Sequence, residues 1–221
     1  MSYTWHFGIL LDYQVVFYRA AAVTIEVTMG SLAIGLTLGL TLGMMRLSRH
    51  AVLRWPAVFY IELFRSTPVL VQLVWIYYAL PVLSGVQMGN VATLIVGLGL
   101  HSAAYLAEIF RAGILSIDRG QMDAAKAIGM GYLQAMRRII LPPAVRRMIP
   151  PFINEFATLM KLTTLGTVLA VSELLHESEN LINNTYRPLE IYTVLALVFA
   201  AIIFPFIYLS QRLEKALTVR S

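Results

Sequence analysis

Apolar runs of near-bilayer length alternate along this chain with short polar breaks. The runs cover about residues 20–45, 57–80, 91–115, 139–169 and 189–209. A helix that crosses the hydrocarbon core needs about 20 predominantly apolar residues, so the pattern predicts five transmembrane helices. The fold class is an all-α integral membrane protein, a single transmembrane domain over residues 1–221. One polar, alanine-rich stretch, "GQMDAAKAIGMG", interrupts the pattern between the third and fourth runs. It predicts a short amphipathic helix at about 120–133.

The breaks differ in charge, and the difference orients the chain. Arg46, Arg49 and Arg54 follow the first run. Arg119, Lys126, Arg137 and Arg138 follow the third, and Arg212, Lys215 and Arg220 the fifth. The break "PVLSGVQMGN" carries no charge, and "SELLHESENLINNTYRP" is acidic on balance. Lys and Arg concentrate on the cytoplasmic side, so the N-terminus is expected outside, the C-terminus and the 120–133 helix in the cytoplasm. The leading residues lack the basic start and cleavage site of a signal peptide. Their aromatics (Tyr3, Trp5, Phe7, Tyr13, Phe17, Tyr18) suit either a helix at the membrane interface or a packed tail.

Composition agrees with this picture. The chain is 58% hydrophobic and 13% charged, against roughly 45–50% and 25% in a soluble domain. The absence of cysteine excludes disulfides and thiolate metal sites. The net charge of +5 marks a cytoplasmic face rather than a nucleic-acid partner. His6, His50, His101 and His176 form no metal-ligand pattern, and no phosphate-binding GxxxxGK[ST] loop or GxSxG elbow occurs. The chain therefore reads as a non-enzyme with no cofactor of its own.

Within the runs, Gly35, Gly39 and Gly43 make a small-residue groove suited to close helix packing, including a subunit contact. Pro142–Pro143 suit a helix N-terminus, and Pro150–Pro151 should kink the fourth run. Glu26, Glu62, Arg65, Glu108, Arg111, Glu155 and Lys161 are ionisable residues inside runs. Each costs roughly 2.5–3.5 kcal/mol at a helix centre, so none should face lipid. Glu62–Arg65 and Glu108–Arg111 are spaced to pair on one helix face, as a gate or as structural ion pairs. Glu155 and Lys161 need partners elsewhere, either to line a pathway or to bridge helices and hold the fold.

From Asp123 the chain reads "DAAKAIGMGYLQAMRRIILP". This resembles the signature of ABC importer permeases: E-A-A, three residues, G, nine residues, I-x-L-P. Asp123, Ala124, Ala125, Gly129, Ile139, Leu141 and Pro142 fall at those spacings, with Asp in place of Glu. "FYIELFRSTPVLVQLVWIYYALP", "AAYLAEIFRAGILSIDRGQ" and "IPPFINEFATLMKLTTL" are similar to the polar amino acid branch, typified by glutamine, histidine and cystine uptake. "KLTTL" and "LPPA" depart from its usual K-D-T-S-L and L-P-Q-A.

The resemblance implies the membrane subunit of an amino acid importer in the bacterial inner membrane. Separate ATPase subunits would bind ATP and dock on the 120–133 helix, with Asp123, Ala124, Ala125, Ala127 and Gly129 at the contact. Asp123 is expected in that helix's first turn, favourable to the dipole. A second permease subunit, identical or paralogous, and an extracytoplasmic solute-binding protein would complete the machine. An amino acid carries an ammonium and a carboxylate. Glu108 and Glu155 are candidates for the first, Lys161, Thr163 and Thr164 for the second, and Gln72 and Tyr105 are the next residues along the path. A self-contained secondary transporter or channel is the alternative; it calls for inverted repeats, and none is convincing here.

Overall fold

The computed structural model describes residues 3–8 and 12–218; Arg220 lies outside them, as do residues 9–11. Every regular element among the described residues is helical. They are α1 (Gln14–Leu47), α2 (Ala51–Ser66), α3 (Val69–Ser84), α4 (Asn90–Leu115), α5 (Arg119–Ala127), α6 (Tyr132–Ala135), α7 (Leu141–Leu162), α8 (Leu174–Thr185) and α9 (Pro188–Thr218). Three helices are long and apolar enough to cross a membrane alone: α1, α4 and α9. Two bent pairs raise the number to as many as five if each counts as one span.

α4 is the central pillar. Its buried side chains run from Thr93 to Gly113, and α1, α2, α3 and α7 all pack on it. The small-residue groove of α1 is filled within the chain. A Cβ at Gly39 would sit 2.9 Å from the Ala103 carbonyl and 2.9 Å from Leu106 Cβ, and one at Gly43 would sit 2.9 Å from the Ala107 carbonyl. Only glycine lets the two backbones come this close, so the groove is an internal seam rather than a subunit contact. On the same buried face, Thr24 and Thr28 hydroxyls donate to the carbonyls four residues back. Their polar atoms are thereby satisfied without a partner helix.

The second run is not one helix. It breaks at Thr67–Pro68, and α2 and α3 meet at 107°. Proline disfavours the helical conformation in the residue before it, and Thr67 is extended at φ −109°, ψ 144°. The carbonyls freed at the break cannot remain bare inside a membrane. The Gln72 amide donates to the Phe64 carbonyl (2.8 Å), the Thr67 carbonyl (3.1 Å) and Thr67 Oγ1 (2.7 Å).

The fourth run also differs from its expected form. Helix begins at Tyr132, passes through a π turn at Met136–Ile140 and continues as α7. Pro142–Pro143 therefore follow a helical entry rather than start one. α7 runs on through Pro150–Pro151 and tightens to a 3₁₀ turn at Thr163–Leu169. The acidic break before the last run contains α8. The Glu173 side chain caps α8, accepting from the Leu175 and His176 amides at 2.9 and 2.8 Å, which satisfies donors that any helix start leaves orphaned.

The N-terminal residues are not helical over 3–8. Buried Glu190 at the start of α9 binds the Tyr3 hydroxyl and accepts from the His6 amide (3.1 Å), and Arg187 donates to the Thr4 carbonyl (2.8 Å). These bonds tie the segment to α9 as a packed tail, with Trp5 and Phe7 stacked beside it.

Candidate functional site: a charged cleft and a polar helix

α2, α4 and α7 enclose a cleft of about 460 Å³, within the range of roughly 300–1,000 Å³ usual for small-molecule sites. α4 contributes Tyr105 and Glu108, α2 ends on it with Arg65, and α7 contributes Arg147 and Glu155. Gly113 lets α7 approach α4, because a Cβ there would overlap Met148.

Glu108 collects three arginines. Arg46 Nη1 lies 2.6 Å from its Oε1, Arg111 Nη2 3.0 Å from Oε2, and Arg65 Nη1 4.0 Å from Oε2. Arg111 also reaches both oxygens through Nε at 3.2 Å. The Glu108–Arg111 pair therefore forms as its spacing suggests. Glu62–Arg65 does not appear among the described ion pairs. Glu62 turns to Arg46 at 3.4 Å instead, and Arg65 turns to Glu108 and stacks over the Tyr105 ring at 5.5 Å. The physical reason is the crossing of α1, α2 and α4: a guanidinium on a neighbouring helix competes with the one three residues away.

Glu155 differs from Glu108. Ser102 donates to its Oε1 at 2.9 Å, and no described cation lies within 4.0 Å. Beside the cleft, Gln72 Oε1 meets His101 Nδ1 at 3.1 Å, and the His101 ring packs on Tyr105 at 4.9 Å. A hydrogen bond and a ring contact thus link the α2–α3 break to the cleft wall. Lys161, Thr163 and Thr164 lie outside the cleft. Lys161 is exposed, and the two hydroxyls donate to the Met160 and Lys161 carbonyls. Arg46, Ser102 and Arg147 are members of the site that sequence reasoning missed. Arg46 carries only the general signal of a basic residue at a span end, Arg147 is a basic residue inside the fourth run, and Ser102 carries no signal.

The polar helix is α5. Asp118 caps it, accepting from the Gly120 amide at 2.6 Å. The helix starts at Arg119, so Asp123 lies beyond the first turn, and Asp118 is the acid at the positive end. Asp123 instead faces Lys126 at 3.8 Å. The helix ends in a Schellman motif: Gly129 donates to the Lys126 carbonyl (2.9 Å) and Met130 to the Ala125 carbonyl (3.0 Å). Gly129 has φ +82°, a conformation glycine adopts without steric cost. Ala125 is 1% exposed and faces the chain's own π turn and α6. Ala124 and Ala127 are exposed, beside Ile128 at 78%, Tyr132 at 63% and Leu133 at 79%.

Helices of membrane-spanning length surround a cleft that carries both signs of charge, and a polar helix stands beside them. Comparison with known proteins makes the class specific. Residues 35–219 match the family described as binding-protein-dependent transport system inner membrane component. The chain is 34% identical over 196 residues to the arginine transport system permease protein ArtQ of Bacillus subtilis, covering 89% of this chain and 90% of that protein. It is 33% identical over 202 residues to the glutamine transport system permease protein GlnP of Escherichia coli K12, covering 91% and 92%. Among solved structures, an amino acid ABC transporter with histidines superposes at TM-score 0.89 with 31% identity, covering 97% of this chain and 100% of that one. The methionine transporter MetNI in an inward-facing conformation shares the fold at TM-score 0.76 and 20% identity, covering 93% and 98%. The chain belongs to the family of binding-protein-dependent transport system inner membrane components. It is a permease subunit of an amino acid ABC importer, not an enzyme.

Proposed function

We propose that this permease passes a polar amino acid through the α2–α4–α7 cleft by alternating access. The observation that supports this reading is an uncompensated carboxylate, Glu155, in the same cleft as Arg65. Glu108 is held by three guanidiniums, whereas Glu155 holds only Ser102. A substrate ammonium would bind Glu155 and its carboxylate Arg65, each by a charge-assisted hydrogen bond. Tyr105 forms the wall between them.

Energy enters through partners. Separate ATPase subunits bind ATP and dock on the exposed α5–α6 surface, where Ala124 and Ala127 permit close approach and Ile128, Tyr132 and Leu133 supply apolar area. Ala125 supports the helix from behind. A second permease subunit completes the pathway, and an extracytoplasmic binding protein delivers substrate. Swinging the path from 1:99 to 99:1 takes about 5.5 kcal/mol of differential binding, which must cross the α5 contact.

The test is Glu155→Gln, which keeps shape and removes charge. Assembly and basal ATP hydrolysis should persist while amino acid uptake falls about tenfold or more, the worth of one lost charge-assisted bond. Wild-type uptake kinetics in a fully assembled complex would remove the cleft from the path.

A further inference from the structure

The cleft holds more positive charge than its own acids neutralise. Four arginines line it or sit on its carboxylates: Arg46, Arg65, Arg111 and Arg147. Three carboxylates answer them: Glu62, Glu108 and Glu155. One positive charge is left over. Salt and water screen such an excess on an open surface, and much less in a cleft between packed helices. A substrate's own charge therefore decides how well it fits.

The ion pairs locate the excess. Arg46, Arg65 and Arg111 each lie within 4.0 Å of a Glu108 oxygen, and Arg46 also reaches Glu62 at 3.4 Å. Arg147 has no carboxylate within 4.0 Å among the described residues. Its Nη1 donates to the Ser116 carbonyl at 2.5 Å, an acceptor without a full charge. That bond uses one of the five N–H donors of a guanidinium. The Ser116 hydroxyl donates to the Gly113 carbonyl at 2.7 Å, so it offers a substrate no proton. Ile109, Ala112, Met148 and Pro151 complete this part of the lining and are apolar. Arg147 is the one group there that a charged side chain can answer.

We propose that the substrate is an amino acid with an acidic side chain, whose second carboxylate binds Arg147. The proposal rests on the reading that Glu155 takes the ammonium and Arg65 the α-carboxylate, and it names the substrate class. A neutral side chain leaves the excess charge in place. A basic side chain doubles it, and like charges brought together in one site are costly. A side-chain carboxylate cancels it and accepts a charge-assisted hydrogen bond. Affinity should fall from glutamate through its isostere glutamine to lysine, by about tenfold at each step.

The test uses the importer assembled in lipid nanodiscs with its partner permease and ATPase subunits. The binding protein is left out, so that selection is the permease's own. Equilibrium binding of radiolabelled glutamate, glutamine and lysine should follow that order. Arg147→Lys keeps the charge and should keep the preference for glutamate over glutamine. Arg147→Gln should bring that ratio from about tenfold to about one. Arg147→Glu should favour lysine over glutamate, a gain that a damaged fold does not give. Wild-type binding that favours glutamine or lysine over glutamate overturns the proposal, as does a glutamate preference that survives Arg147→Gln. Either result leaves the cleft in the path as long as Glu155→Gln weakens binding of all three. Binding indifferent to Glu155→Gln overturns the cleft reading itself, and the substrate class with it.

Discussion

Gln72 shows how one side chain can set the course of a helix. Its amide answers three acceptors at the α2–α3 break and its carbonyl oxygen meets His101. Gln72→Leu preserves size but leaves those acceptors bare in a membrane, at roughly 1–3 kcal/mol for a buried group left unsatisfied. Thermal unfolding of the purified protein should show a lower midpoint for Gln72→Leu than for Thr67→Val, which removes one of the three acceptors and leaves the rest served. Equal midpoints would mean the break is held by packing alone. In the sequence Gln72 reads as a candidate along the substrate path, not as the amide that serves a helix break. Its use depends on Pro68 four positions earlier, a relation within reach of local chemistry. The capture of Glu62 by Arg46 was not within reach, since it depends on where α1 ends relative to α2. Glu108–Arg111 was legible because both residues ride one helix turn.

Among the elements, periodicity and length were reliable wherever one helix crosses alone, as in α1, α4 and α9. They failed where a run is broken and where a polar segment folds. Mean apolarity passes smoothly over Ser66–Thr67–Pro68, although the turn there is 107°. α8 lies in a break that the charge pattern marks only as acidic, and charge alone does not reveal that Glu173 caps a helix there. α5 was legible in place and ending but not in facing, since which alanine turns inward is decided by the π turn and α6. That facing has a consequence for docking. Ala127→Arg adds bulk and charge on the exposed side and should abolish ATPase co-purification with no loss of membrane insertion. Ala125→Arg should instead lower the amount of folded permease. Equal ATPase recovery from Ala127→Arg and wild type would move the dock elsewhere.

For the whole molecule, charge asymmetry predicts the orientation, with the uncharged turn after α3 expected outside and the basic stretches after α4 and at the end of α9 expected inside. A reporter inserted at Gln87 should be active only outside the cell, and one fused to the C-terminus only in the cytoplasm. The reverse pattern at both sites would invert the bundle and put α5 beyond reach of any ATPase. Orientation fixes which end must move, and the π turn at Met136–Ile140 says how tightly the ends are geared. A π turn holds one residue more than an α turn in the same span. Were the segment to rewind into ordinary helix with every residue kept, the surplus residue would advance the chain by about 100°. The α5–α6 surface and the cleft face of α7 would then be out of phase by more than a quarter turn. Glu155 could still face Ser102, or Ile128 and Leu133 could still face their partner, but not both at once. The π turn thus sets the angle between the proposed docking surface and the proposed substrate cleft, and rewinding it would leave each intact but turned away from the other.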